Sequence, residues 1–241
     1  MKYVWAMATL LLSLLASAND NCPSDTVMAT YRIEQHNASP ASSVKNELIL
    51  LRYNNNAVHI NDKKMATQWT HLSGKHMKKT SYFMDDLRAI EYDVTPVSSE
   101  QAWRYHAQLL HPSFKERASL LTTKGSGCNM LEHYQQKTQA KTIDVWWYPH
   151  KQLVKRIESK QANQTVTWLL LDSVHDDAIV QQYFSELYAY QTTDFADIGD
   201  NESDPFFRKM INLGFVEHGA TGFYDTNGNT LPAGNHSGHQ H

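Results

Sequence analysis

The residues best equipped for chemistry fall into two groups. Between Gln161 and Phe207 there is no Lys or Arg, yet nine acids occur: Asp172, Asp176, Asp177, Glu186, Asp194, Asp197, Asp200, Glu202 and Asp204. Five of them crowd into positions 194–204 around Gly199, a spacing that brings carboxylates together at a turn. Such a cluster suits a hard cation, since Ca²⁺ takes about six to eight oxygen ligands. The spacing differs from an EF-hand loop, where acids alternate and glycine stands sixth. The same residues also fit a solvated loop in which Asp204 caps the next helix. Histidines form the second group: His236, His239 and His241 lie in the last six residues, with His218 upstream. Imidazoles on a flexible chain can gather Zn²⁺, Cu²⁺ or Ni²⁺, and the pattern equally fits a solvated tail. A divalent metal (Ca, Zn, Cu or Ni) is therefore the one cofactor the sequence suggests.

His175-Asp176-Asp177 offers an acid/base or metal pair, although Asp176 as a helix N-cap accounts for it more simply. A metal-assisted hydrolase would place Asp197, Asp200, Glu202 and His175 around the ion. His106 shares a helical face with Trp103 and Leu110 and reads as a packing residue, while His133 and His150 have no partner predictable from sequence. The chain has no G-x-S-x-G, H-E-x-x-H, phosphate-loop, dinucleotide or C-x-x-C motif, so binding is favoured over catalysis. Aromatic residues offer a different chemistry. Trp146, Trp147, Tyr148 and Trp168 concentrate on two predicted strands, where Val145 and Trp147 share one face and Trp146 and Tyr148 the other. Trp147 and Trp168, joined by Met130, Phe206 and Met210, would line a cleft for an apolar small molecule or lipid. The competing reading is a sheet whose faces are both covered.

These groups must be positioned by a β-rich frame. From Asp25 to Val94, alternating runs such as Val27, Ala29, Tyr31 and Ile33 are separated by short polar turns, the signature of antiparallel neighbours. Two helices follow, each opened by a capping box: Ser98-x-x-Gln101, stopped by Pro112, and Ser113-x-x-Glu116, with Phe114, Ala118 and Leu121 on one face. Strands resume at Met130–Gln135, Thr142–Tyr148, Leu153–Glu158 and Thr165–Val174. A third helix starts after Asp176, and Asp204-Pro205 opens a fourth with Phe206 and Met210 inward. The expected fold class is α+β: a curved, half-barrel-like antiparallel sheet with packed helices, in a single domain over residues 19–214.

The stretch Trp146-Trp147-Tyr148-Pro149 through Leu153, then Lys155-Arg156-Ile157-Glu158 and Thr165-Val166-Thr167-Trp168-Leu169, resembles the aromatic-proline turn and hairpin of the periplasmic lipoprotein-carrier (LolA/LolB-like) group. That resemblance implies a curved half-barrel sheet around an apolar cavity covered by helices, and lipid or lipoprotein carriage as the function. It covers a small part of the chain. The family's N-terminal helix has no counterpart here, whereas the acidic segment and histidine tail are additions.

Compartment and partners follow from composition. Lys2, the apolar run Val4–Leu15 and Ala16-Ser17-Ala18 read as a secretory signal over residues 1–18, with residues 215–241 as a flexible Gly/His-rich tail. Export to a periplasm or secretion would favour pairing of the two cysteines, Cys22 and Cys128, in one disulfide. Four N-x-S/T sequons, at Asn37, Asn163, Asn201 and Asn235, keep a eukaryotic secreted protein open. A net charge of −3 argues against nucleic acid, and no later apolar run is long enough to span a bilayer. Because the acidic block holds nine of the 25 acids, the rest of the mature chain is net positive. The block could therefore orient on a basic protein partner.

Overall fold

A computed structural model of the chain describes residues 22–212, save 39–40, 63, 74, 97–99 and 202. The signal-like segment, Glu202, Gly214 and the histidine tail with His218, His236, His239 and His241 lie outside the described residues. Most of the described backbone is strand. β1 (Thr26–Ala38), β2 (Ala41–Tyr53), β3 (Asn56–Asn61), β4 (Met65–Leu72), β5 (His76–Phe83) and β6 (Arg88–Glu91) run as an antiparallel meander. The two-residue β7 (Thr95–Pro96) pairs with β5. A second meander comprises β8 (Ser119–Lys124), β9 (Leu131–Lys137), β10 (Lys141–Tyr148), β11 (Leu153–Gln161) and β12 (Gln164–Val174). The two join where β12 pairs antiparallel with β1, from Met28↔Val174 to Asn37↔Gln164.

The result is one wide, curved, unclosed sheet in the order β13-β6-β5-β4-β3-β2-β1-β12-β11-β10-β9-β8. Its edge strand β13 (Gln191–Asp194) runs parallel to β6. This is a mostly-β fold with few helices, and the α+β expectation is corrected to that extent.

Topology explains where the helices lie. The first meander ends near one edge and the second begins at the other, so the chain must cross the sheet. That crossing carries α1 (Glu100–Gln108) and α2 (Pro112–Arg117). The return from β12 to β13 crosses back and carries α3 (Asp177–Tyr188); a 3₁₀ segment (Phe195–Asn201) and α4 (Pro205–Asn212) come after β13. Register pairing puts Leu50, His59, Thr67, Ser81 and Ile90 on one face, which α1 and α4 cover. The opposite face carries Leu51, Val58, Ala66, Tyr82 and Ala89, on which α3 seats Val180, Phe184 and Leu187. Asp176 caps α3 as expected, accepting from the Ala178 and Ile179 amides at 2.9 and 3.1 Å.

Two local expectations are corrected. The second helix ends at Arg117 rather than Leu121, and Ala118, in extended backbone, leads into β8. A six-residue helix gains little by lengthening, whereas the free edge of β9 offers Ser119–Lys124 a ladder of hydrogen bonds. The cap of α2 is His111, whose Nδ1 accepts from the Ser113 amide at 3.2 Å, rather than the Ser113-x-x-Glu116 box. The cysteine expectation holds: Cys22 and Cys128 form a disulfide across a sequence separation of 106, with Cα atoms 5.3 Å apart.

Candidate functional site

The main core cluster lies on the α1 face at the junction of the meanders. It contains Val27, Ala29, Tyr31, Leu48, Leu50, Leu109, Leu110, Phe114, Val145, Trp147 and Ile157. Trp147 is 2% exposed within it, with Lys115 Nζ 5.1 Å from its ring centroid. Strand alternation places Trp146 on the opposite face, stacked on His133 at 4.3 Å with the Arg156 guanidinium 5.3 Å from its centroid.

Beyond the helices this face stays mostly apolar, with Gln35, Asn46 and Ser159 as polar exceptions. The register aligns Ile33, Trp168, Ile157, Val145, Tyr134 and Leu120 in one row across β1, β12, β11, β10, β9 and β8. Ile157 and Val145 are buried at its middle, whereas Ile33, Trp168 and Tyr134 are partly buried against the core and Leu120 is 52% exposed. The next row, Val44, Gln35, Val166, Ser159 and Ile143, runs from a 50%-exposed Val44 to a buried Ile143. Partly exposed apolar side chains thus continue the core outward on this side of the sheet. Behind them the other face is polar: Glu34 pairs with Arg32 and Lys45 at 3.1 and 3.4 Å, and Glu158 pairs with Arg156 and Lys160. Exposed pairs of this kind add little stability, and they mark a solvated surface.

The five residues expected to line an apolar cleft do not assemble in one place. Trp147 and Trp168 meet in the main cluster, and Met130 follows the 3₁₀ turn between β8 and β9. Phe206 and Met210 belong to a separate cluster with Phe83, Ile90, Ile198 and Phe207, toward the β13 edge.

The acidic segment is partly committed to structure. Asp204 Oδ1 accepts the Phe206 amide at 2.8 Å, and its Oδ2 accepts from Arg88 at 3.0 Å. The amide first and the guanidinium second hold its carboxyl below the usual carboxylate range. Asp194 ends β13, and Asp197 and Asp200 fall in the following 3₁₀ segment. His175, expected to join them around an ion, sits seven strand spacings away along the sheet, on the order of 30 Å. Its Nδ1–H donates to the Thr26 carbonyl at 3.0 Å, and burial lowers its basicity. Among the described residues no three His, Cys, Asp or Glu side chains converge as a metal site would require.

Several polar residues that sequence reasoning missed are buried on the α1 face. Arg52, 5% exposed, donates to the carbonyls of Ala107, Gln152 and Lys151 at 2.7, 3.0 and 2.9 Å. Burial lowers its pKa to about 10, so it stays charged at neutral pH. Tyr31 donates to the Val154 carbonyl at 2.8 Å, and burial pushes its phenol far up. A polar cavity of about 250 Å³ opens beside Arg52, lined also by Asn54, His71, Trp103, Arg104 and Gln152. His59 is buried under α1, and His106 of α1 is half-buried beside it. His133, one of the two histidines without a partner predictable from sequence, donates to Asp144 at 2.8 Å on the polar face.

The fold defines a class, an open sheet of two joined antiparallel meanders with an apolar face extending past its helices. No protein-family model matches the sequence, and no curated protein matches it either. Among solved structures, PNGF-II aligns at 9% identity and a TM-score of 0.39, over 70% of this chain and 31% of that one. The chain therefore spans about a third of that protein's length. A LolA superfamily protein from Nitrosomonas europaea aligns at 10% identity and a TM-score of 0.30, over 64% of this chain and 88% of its own. An outer membrane lipoprotein-sorting protein domain from Vibrio parahaemolyticus gives 10% and 0.29, over 69% and 94%. The chain thus resembles LolA-type proteins weakly.

Proposed function

We propose that this chain is a periplasmic or secreted carrier that binds an apolar small molecule or a lipid chain on the α1 face, without catalysis. One observation carries the reading. The row from Ile33 through Trp168 and Tyr134 to Leu120, with Val44 and Val166 beside it, leaves apolar side chains partly exposed on a six-strand floor. Strands hold such a floor rigid, so an acyl chain laid across it loses water contact without costly reordering of the protein. The polar opposite face keeps the chain soluble while the floor stays apolar. The signal-like first eighteen residues are compatible with export. No helix among the described residues is long and apolar enough to cross a membrane.

Titration with a fluorescent fatty acid tests the reading. Saturable binding with energy transfer from tryptophan is expected, reduced at least tenfold in Trp168→Asp and in Ile33→Asp. Absence of saturable binding, or binding unchanged in both folded variants, would overturn it.

A further inference from the structure

The geometry points to an acid-sensitive catch under α1: protonation of the His59–His106 pair releases α1 from the sheet while the strands stay paired. The helix rests on the sheet through two crossed histidine–tryptophan stacks. His106 of α1 lies flat on Trp69 of β4, with centroids 4.1 Å apart and planes inclined by 13°. Trp103 of α1 lies flat on His71 of β4, at 5.7 Å and 12°. Beneath the first stack, His59 of β3 packs edge-on against Trp69 at 4.6 Å and donates its Nε2–H to the His106 carbonyl at 2.7 Å. The two imidazole centroids are 6.3 Å apart.

The surroundings of the pair do not compensate a positive charge on either ring. His59 is 3% exposed, and His106 Nδ1 is buried without a hydrogen-bond partner. The other titratable side chains facing the pair from the elements packed against it are Arg52 on β2, His71 on β4, Lys79 on β5, and Arg104 and Tyr105 on α1. None of these is an acid. The one acid of α1, Glu100, opens the helix six residues before His106. Asp25 acts on Arg52 and on neither imidazole. Burial, and for His106 the neighbouring His59, accordingly holds both groups neutral well below the ordinary histidine range.

A protonated His106 would gain attraction to the Trp69 face, but a single stack does not offset two uncompensated charges in an apolar site. Detaching α1 hydrates both rings at once. It costs little β-structure, because the ladders of β3 and β4 do not pass through the helix. The detached segment would uncover Ala57, Trp69 and the neighbouring floor. The catch therefore couples acidity to exposure of the α1 face.

Hydrogen exchange on the mature, disulfide-bonded chain tests this, with rates corrected for intrinsic pH dependence. Between pH 6.5 and 4.5, amides of residues 103–110 should lose at least tenfold in protection and at pH 4.5 exchange at least tenfold faster than the protected amides of β1 and β2. The double variant His59→Gln/His106→Gln should retain protection of α1 at pH 4.5. Overturning results are α1 as protected at pH 4.5 as at 7, helix amides no less protected than those of β1 and β2 at pH 4.5, or a folded double variant that opens like the parent. Imidazole NMR titration of the unaltered chain keeps the test decisive if that variant fails to fold. Uptake of protons by both rings together with the opening supports the catch, and ordinary titration near pH 6.5 with α1 still protected overturns it.

Discussion

Arg52 shows how one side chain can join parts of the molecule that are distant in sequence. Its guanidinium satisfies a carbonyl near the end of α1 and two carbonyls in the turn between β10 and β11. No carboxylate among the described residues bonds to it, so its role is to close orphan backbone acceptors, a task that suits a planar fork of several donors. Replacing it with methionine preserves apolar packing but strands those carbonyls, and should cost about 3 kcal/mol. Lysine, a point charge with a different reach, should recover only part of that loss. Urea unfolding of both variants measures the order, and equal stability of Arg52→Met and the parent would show the bonds to be dispensable. Nothing in the local sequence Leu51-Arg52-Tyr53 signals this role, because its acceptors lie 55 to 100 residues away.

At the scale of elements, strands were legible and their partners were not. Alternation located β1, and the Asn54-Asn55 turn separates β2 from β3. The extension of α2 failed because the pairing of β8 with β9 outweighed helical spacing. The first-turn signal of Asp176 survived because N-capping is a local interaction. The disulfide is the covalent link between elements. It ties the residues before β1 to the 3₁₀ turn (Gly127–Asn129) between β8 and β9. Closing a loop of this length is worth about 4–5 kcal/mol on the chain-entropy model. Reduction, or the Cys22→Ala/Cys128→Ala variant, should therefore lower the unfolding free energy by a similar amount with the sheet retained. A calorimetric melting temperature unchanged by reductant would contradict the assignment of a structural bridge.

For the whole molecule, buried histidine makes stability depend on pH. Burial pushes His59 down to about 4 and His106 to about 3, whereas both titrate near 6.5 in an unfolded chain. The unfolded state then binds more protons below pH 6.5. This contribution is complete above that pH and is lost as pH falls toward 4 and 3. Each histidine is worth roughly 3–5 kcal/mol across its window. Urea midpoints should therefore fall from pH 7 to 4.5, and His59→Gln should flatten the slope. A parent chain equally stable at both values would show that these rings do not resist protonation.

The sequence by itself determined the alternation of the strands, the short turns between them, the cap of α3 and the cysteines available to pair. Each depends on residues close in the chain or, for the cysteines, on there being only two. Tertiary structure alone decided that β1 pairs with β12, that α1 and α3 cross opposite faces, and that Phe206 and Met210 lie apart from Trp147. It also placed His59 against His106 and engaged Asp204 with Arg88. The physical reason is that a period of two fixes which side chains of a strand share a face. Which face is then covered, and by what, depends on where the long connections cross the sheet.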